Sequence, residues 1–243
     1  AVWVLPYAPW LASVRAAAAY VQETTCAGND VTCTFAAAPL ATNIVLVALS
    51  LGDEAQTIDI TGWPNAETVS LGPVDSSTGT ARGYLFCMVG DGLDTTFVAT
   101  SSGAATPRVA AVEVSGIGTT CTTALDDAEV AADFDCQGSG TTAHSLATVL
   151  TTSAAGDFIW AYVLSSNTAN FTAGSGYTSV PSGNGEINSN AQAEWKVAGA
   201  SGSEDPDWAS ALNETTFCMG AAYLATADGA ASTSRLLLLG VGR

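Results

Sequence analysis

Residues 42–51 read TNIVLVALSL, an apolar run rich in β-branched side chains that is flanked by polar, turn-forming residues. Such a short run without helical periodicity predicts a β-strand that is buried on both faces or that alternates weakly. A second run of the same type, DFIWAYVLSS, occupies residues 157–166. We therefore expect buried strands at the centre of the fold.

Short strand-like segments continue on both sides of this run. Clusters of Gly, Asn, Asp and Pro separate them, as in GWPN, GDGLD and PSGNGEIN, and such clusters are typical of turns between strands. The predicted strands lie at residues 20–26, 31–36, 42–51, 67–72, 82–90, 95–102, 107–116, 145–153, 157–166, 190–200, 215–226 and 234–242. Helical candidates are limited to Pro9–Ala19 and Ala124–Ala132. This pattern predicts an all-β fold, an antiparallel β-sandwich that is jelly-roll-like and carries one or two short helices.

The two halves of the chain resemble each other. TNIVLVALSLG matches GDFIWAYVLSS in residue type, and PRVAAVEVSG matches FCMGAAYLAT. In a jelly roll such halves are expected to interleave into one core, so we predict a single sandwich domain over residues 20–243. Residues 1–19 are predicted to be an N-terminal arm that forms an edge strand or lies on a neighbouring subunit. The strand-forming residues of that inter-subunit arm are Val2, Trp3, Val4 and Leu5.

The charge of the chain excludes several classes of function. Its 243 residues contain 6 Lys and Arg against 23 Asp and Glu, which gives a net charge of −17. Such a surface repels phosphate backbones and anionic lipid, so we expect neither nucleic acid nor membrane as a partner. No apolar run reaches the length of a membrane-spanning helix. The opening residues lack the basic region of a secretion signal, and we expect none there.

Six cysteines can form up to three disulfides. A zinc knuckle is not expected, because the closest pair is Cys26 and Cys33 and the chain has a single histidine. Local pairing predicts a Cys26 to Cys33 bond across a hairpin. It also predicts a Cys121 to Cys136 bond that closes an acidic insertion at about residues 117–143. Cys87 and Cys218 either bond to each other across a sheet or pack as thiols, and the alternative is that all six cysteines are reduced.

The acidic insertion is a candidate calcium site. Hard oxygen ligands suit Ca²⁺, although the spacing is not that of an EF-hand, and a solvated acidic loop is the alternative. The candidate ligands are Asp126, Asp127, Glu129, Asp133 and Asp135. No other cofactor is expected.

Nothing in the sequence predicts catalysis. There is no G-x-S-x-G segment, and His144 is the only imidazole available to a Ser–His–Asp site. A lone histidine at the start of a strand is typically a surface or hydrogen-bonded residue, so we expect no enzyme. Aromatic residues near strand ends either stack on sugars or fill the core. They are Trp63, Tyr177, Trp195 and Trp208.

Five stretches resemble a β-sandwich module of tailed-phage virion proteins and bacterial surface proteins. They are PLATNIVLVALSLG, PRVAAVEVSGI, TTSAAGDFIWAYVLSS, FTAGSGYTSV and AEWKVA, and the resemblance covers roughly residues 20–227. It implies a non-catalytic structural or adhesive protein and carries over no catalytic residues. A phage protein is made in a reducing cytoplasm, and its disulfides would form after lysis in the assembled particle.

From these observations we predict a virion protein, of capsid-surface decoration or fibre type. Its expected partners are further copies of itself, other virion subunits such as the major capsid protein, and a host-surface glycan. The alternative is a secreted or cell-surface carbohydrate-binding and adhesion module. A protein that only decorates the capsid should bind no sugar as an isolated subunit, whereas the adhesion module should.

Overall fold

A computed structural model of the chain describes residues 17–63, 69–76, 81–129, 136–137, 140–165, 170–181, 187 and 190–226. Nearly all regular structure in these residues is antiparallel β-strand, and the single helix in the described part is α1 (Cys121–Ala124). No helix in this part of the chain is long and apolar enough to cross a membrane. The predicted all-β, sandwich-like fold is therefore confirmed.

The first eight strands form two facing sheets, which we call the N-terminal sandwich. Its five-stranded sheet has the order β1-β8-β3-β6-β5, and its three-stranded sheet has the order β2-β7-β4. The strands are β1 (Ala19–Ala27), β2 (Val31–Thr34), β3 (Ile44–Leu51), β4 (Ile58–Thr61), β5 (Val69–Asp75), β6 (Arg82–Val89), β7 (Thr96–Ser101) and β8 (Arg108–Ser115). This alternation of chain segments between two sheets is jelly-roll-like.

The remaining strands form a second pair of sheets, the C-terminal sandwich. Its five-stranded sheet has the order β14-β15-β12-β18-β9 and its three-stranded sheet the order β10-β17-β13, while β11 and β16 pair separately. The strands are β9 (Leu125–Glu129), β10 (Thr141–Ser145), β11 (Leu150–Thr152), β12 (Phe158–Ser165), β13 (Thr172–Ala173), β14 (Thr178–Val180), β15 (Ala191–Val197), β16 (Gly202–Glu204), β17 (Asp207–Glu214) and β18 (Thr216–Tyr223).

The two sandwiches have the same strand topology. Reading the orders from the edge that holds each first strand, β1-β8-β3-β6-β5 corresponds to β9-β18-β12-β15-β14, and β2-β7-β4 corresponds to β10-β17-β13. The strands β3 and β12 contain the two matched apolar runs, and β8 and β18 contain the second matched pair. The internal resemblance in the sequence therefore reflects two copies of one strand arrangement.

The central strands are apolar throughout because they contact a core on each face. In β3, Ile44, Leu46 and Ala48 point into a large central core between the two five-stranded sheets. The intervening Val45 and Val47 point into the core of the N-terminal sandwich. Since successive side chains of a strand alternate between faces, both sets are fully buried. The prediction of a strand buried on both faces is confirmed.

The central core joins the two sandwiches. The five-stranded sheets lie face to face, with β3 over β12, β8 over β15 and β6 over β18. Phe158, Trp160 and Tyr162 of β12 enter the central core, whereas Ile159 and Ala161 enter the core of the C-terminal sandwich. Among the described residues, each five-stranded and each three-stranded sheet takes its strands from one half of the chain. Each half closes its own sheets, and burial between the halves joins them. The single-domain boundary at residues 20–243 stays a prediction.

Two local predictions were wrong. Residues 125–129 form the edge strand β9 and not a helix, because Leu125 and Ala128 pack on the central core while the strand pairs with β18. The segment predicted as one strand over residues 145–153 is divided between the end of β10 and β11. Of the other predicted helix, residues 9–16 lie outside the described residues, and Ala19 begins β1. The arm residues Val2, Trp3, Val4 and Leu5 also lie outside them.

Candidate functional site

The disulfide between Cys26 and Cys33 links the two sheets of the N-terminal sandwich. Its Cα atoms are 5.4 Å apart, within the usual range for a disulfide. The predicted pairing is confirmed, but the predicted hairpin is not: β1 pairs with β8 in one sheet, and β2 pairs with β7 in the other. The bond therefore joins opposite layers of the sandwich rather than neighbouring strands.

The other four cysteines pair differently from our predictions. Cys87 bonds to Cys121 with Cα atoms 5.6 Å apart, and Cys136 bonds to Cys218 with Cα atoms 4.9 Å apart. Cys87 faces the central core, where α1 presents Cys121 to it. Cys136 lies beside β18 because its backbone N–H donates to the carbonyl of Thr216. The two ends of the acidic insertion are therefore not bonded to each other. Cys121 is bonded to the N-terminal sandwich, and Cys136 is bonded to the C-terminal sandwich.

The described part of the candidate calcium site is engaged in backbone hydrogen bonds. A carboxylate oxygen of Asp126 accepts from the N–H of Ser153, and one of Asp127 accepts from the N–H of Thr151, both at 2.6 Å. These bonds attach β9 to β11 and the turn after it. Among the described residues, no group of three or more Asp, Glu, His or Cys side chains is arranged to hold a metal ion. Asp133, Asp135 and the side chain of Glu129 lie outside the described set.

His144 is buried in a hydrogen-bonded position. Its Nε2 lies 2.8 Å from Ser210 Oγ, and its Nδ1 lies 2.9 Å from Thr216 Oγ1. Ser210 Oγ donates to the carbonyl of Leu212 at 2.6 Å, so we assign the Nε2 proton to the bond with Ser210 and the acceptor role to Nδ1. In this tautomer His144 donates to Ser210 and does not accept its proton, which is the reverse of a Ser–His nucleophile.

The aromatic side chains considered as sugar platforms are largely covered. Trp63 and Trp208 are core residues. Trp195 is stacked against Tyr20 on one side, with ring centroids 5.1 Å apart, and against Phe158, with centroids 5.5 Å apart. The Lys196 ammonium lies 5.1 Å from the centre of the Tyr177 ring. These positions favour the core-filling interpretation over sugar stacking.

A buried acid that the sequence reading did not single out lies in the C-terminal sandwich. Glu194 on β15 has no exposed surface, and one of its oxygens accepts from the N–H of Gly174 at 2.9 Å. The other oxygen, Oε1, has no hydrogen-bond partner among the described residues. Burial raises the pKa of Glu194 to about 8; the charge of Asp207 adds to this rise, and the N–H of Gly174 opposes it.

An open cleft of about 310 Å³ lies beside this acid. It is lined by Gln137, Ala143, His144, Ser145, Asp205 and Asp207. Burial and the neighbouring Asp207 charge raise the pKa of Asp205. The cleft therefore combines two close carboxylates with a buried imidazole that is already hydrogen-bonded, and its acidic lining is suited to a cation or a hydrogen-bond donor.

A second cavity, of about 330 Å³, opens where the two sandwiches meet, and we call it the junction cavity. Its lining comes from corresponding ends of the two five-stranded sheets: Ala81 and Arg108 from the N-terminal sandwich, and Leu164, Ser165, Asn190 and Phe217 from the C-terminal sandwich. The Tyr162 hydroxyl bonds to Ser50 Oγ at 2.7 Å and to the carbonyl of Arg108, a residue that lines the cavity, at 3.1 Å. This polar bridge connects the two sandwiches.

Two residues that line the junction cavity each have a buried polar atom without a partner among the described residues. Arg108 Nε and Asn190 Oδ1 are buried and make no hydrogen bond to any described residue. Arg108 retains one bond, from Nη1 to the carbonyl of Thr106 at 3.3 Å. The sequence offered one signal for this residue: with only 6 basic residues, each Arg or Lys is informative. Its position beside Asn190 depends on tertiary structure.

A scan against protein-family models and searches of curated proteins and solved structures returned no match to this chain. The resemblance to virion and bacterial surface modules therefore rests on the quoted sequence stretches alone.

Proposed function

We propose that the protein is a non-catalytic structural subunit that works in an oxidising environment outside the cell. The observation that carries this proposal is the set of three disulfides, which pairs all six cysteines. One bond joins the two layers of the N-terminal sandwich, and the other two attach the ends of the acidic insertion to different sandwiches. Disulfides of this kind persist in secreted and particle-associated proteins and are rare in a reducing cytoplasm.

The central core supports the same proposal. Two sandwiches of identical topology pack through their five-stranded sheets, so the described part of the chain forms one continuous block with buried apolar side chains between four sheet layers. Such an arrangement resists local unfolding, because separating either sandwich exposes the central core to water. Resistance of this kind suits a protein that must endure outside a cell.

Within this class we propose a virion surface protein, of decoration or fibre type, that assembles with copies of itself and with other virion subunits such as the major capsid protein. The quoted sequence resemblance supports this assignment. The carbohydrate-binding alternative has less support, because Trp63 and Trp208 are core residues and Trp195 is stacked between two rings.

The experiment is immunogold labelling of concentrated extracellular particles from a culture of the source organism, with antibody raised against the purified chain. We expect label on particles and, by light scattering, a homo-oligomer of the purified protein. A variant that lacks residues 1–10 should lose particle occupancy if the arm contacts neighbouring subunits. Label confined to cells would reject the virion role, and label confined to cells together with binding of the wild-type protein on a glycan array would favour the adhesion module.

A further inference from the structure

We propose that the junction cavity is a binding site for a small organic carboxylate with an apolar body. The structural role does not require this site, so the binding proposal is tested independently of that role. The cavity has a volume of about 330 Å³, which lies at the lower end of the range for small-molecule sites. Its position between two structurally equivalent sandwiches is also typical, since ligand sites are common at domain interfaces.

Arg108 supplies the charge that selects the ligand. A guanidinium is charged at every accessible pH. The two other described basic residues form ion pairs, Arg82 with Asp75 and Lys196 with Glu204, whereas Arg108 forms no ion pair with any described carboxylate. Its buried Nε–H has no acceptor among the described residues. A buried donor without an acceptor costs free energy, and an ionised carboxylate would remove that cost through a charge-assisted hydrogen bond.

Asn190 supplies the second polar contact. Its Nδ2 donates to the carbonyl of Ser165 at 3.1 Å, which orients the amide and assigns Oδ1 as an acceptor. That oxygen is buried and has no donor among the described residues. A ligand that carries a hydroxyl or amine next to its carboxylate would satisfy both Arg108 and Asn190. We therefore infer a 2-hydroxy or 2-amino acid rather than a simple fatty acid.

The remaining lining determines the body of the ligand. Ala81, Leu164 and Phe217 are nearly completely buried apolar side chains that also belong to the central core. They form the apolar wall between the cavity and the central core, so an aliphatic or aromatic group placed against this wall would lose water favourably. The same surface would not accept a second charge, so we expect monocarboxylates to bind and dicarboxylates to be rejected.

The test uses 3-phenyllactate as the probe and its neutral amide, 3-phenyllactamide, as the matched control. Binding to the full chain is followed by titration calorimetry and by the ¹⁵N–¹H signals of the arginine Nε–H groups. We expect saturable binding of phenyllactate, a shift confined to the Arg108 Nε–H signal, and no binding of the amide. This measurement on the wild-type protein needs no substitution.

Two variants complete the test. Arg108→Gln removes the charge and should weaken phenyllactate binding about tenfold or more, as expected for a lost charge-assisted hydrogen bond. Lys196→Gln, which removes a basic residue that does not line the cavity, should leave binding unchanged. Absence of saturable binding to the wild-type protein, equal binding of the amide, or unchanged binding to the Arg108→Gln variant would each overturn the proposal.

Discussion

Replacing Glu194 with Gln should make the protein more stable, and increasingly so as the pH rises. In the folded protein burial raises the pKa of Glu194 to about 8, against an ordinary value of 4.5. Between these two pH values the unfolded chain releases the proton while the folded chain keeps it. The free energy of unfolding therefore falls as pH rises, and this loss is complete only above the folded-state pKa.

The magnitude follows from the pKa difference. Each pH unit in this window contributes about 1.4 kcal/mol, so the ionisable side chain costs the folded state about 1 kcal/mol at pH 5 and about 4 kcal/mol at pH 8. Glutamine has nearly the same shape, carries no charge, and keeps an oxygen that can accept from the N–H of Gly174. The variant should recover most of this cost.

The assay is urea denaturation of the wild-type and Glu194→Gln proteins at pH 5 and pH 8 with the disulfides intact. We expect the difference in unfolding free energy to grow by about 3 kcal/mol between the two pH values. A difference that is independent of pH, or a Glu194→Gln variant less stable than the wild type at pH 8, would refute the assignment of a protonated, buried carboxyl group.

Glu113 provides a matched control because it is equally buried but fully hydrogen-bonded. One of its oxygens accepts from Gln22 Nε2 at 2.6 Å, and the other accepts from the N–H of Leu40 at 2.9 Å and from Asn43 Nδ2 at 2.6 Å. Glutamine has a single acceptor oxygen, so its side-chain NH2 would face one of the N–H donors that Glu113 accepts from. Glu113→Gln should therefore destabilise the protein by about 1–3 kcal/mol at pH 8, the opposite sign from Glu194→Gln.

Three further predictions concern the covalent and packing contacts. Replacing both Cys136 and Cys218 with Ser should lower the free energy of unfolding by about 4 kcal/mol, because this bond joins residues 82 positions apart and the stabilisation by a disulfide grows with loop length. Replacing both Cys26 and Cys33, which are 7 positions apart, should lower it by only about 2 kcal/mol. Equal losses in thermal melts of the two variants would contradict the loop-length argument. Tyr162→Phe should cost about 1–2 kcal/mol, because the hydroxyl bonds both Ser50 and the Arg108 carbonyl between the sandwiches; an unchanged urea midpoint would show that this bridge does not stabilise the junction. Gly90→Ala should destabilise the protein by about 1–3 kcal/mol, because a Cβ there would overlap the backbone carbonyl of Leu40. Gly199→Ala should be close to neutral in the same assay, because nothing lies within 4 Å of the added carbon.

Local sequence pattern predicted the elements of the fold well. Residues 42–51 and 157–166 were expected to be buried strands, and they are β3 and β12, each packed between two cores. The likeness between the halves was visible for the same reason, since equivalent strands experience equivalent burial. Burial on both faces can be predicted from residue type, because each position of such a strand must be apolar or small.

The candidate sites were less predictable. The sequence indicated disulfides and correctly paired Cys26 with Cys33. It paired Cys121 with Cys136 by nearness in the chain and left Cys87 and Cys218 as a bond across a sheet or as packed thiols, whereas the bonds are Cys87 to Cys121 and Cys136 to Cys218. It offered no reason to place Arg108 beside Asn190, nor Glu194 in a position without exposed surface. Both arrangements join segments that are far apart along the chain.

The sequence by itself determined that this protein is an acidic, all-β chain with buried central strands, two similar halves and cysteines suited to disulfides. Tertiary structure alone decided that the halves stack through their five-stranded sheets, that Cys87 meets Cys121, and that Arg108, which has no ion pair with any described carboxylate, lines a cavity between them. The physical reason is that strand formation depends on the local alternation of side chains. Which strand pairs with which, which cysteines bond and which charges meet depend instead on contacts between segments that are distant in the chain. The sequence of one segment does not determine these contacts, which form only when the sheets pack.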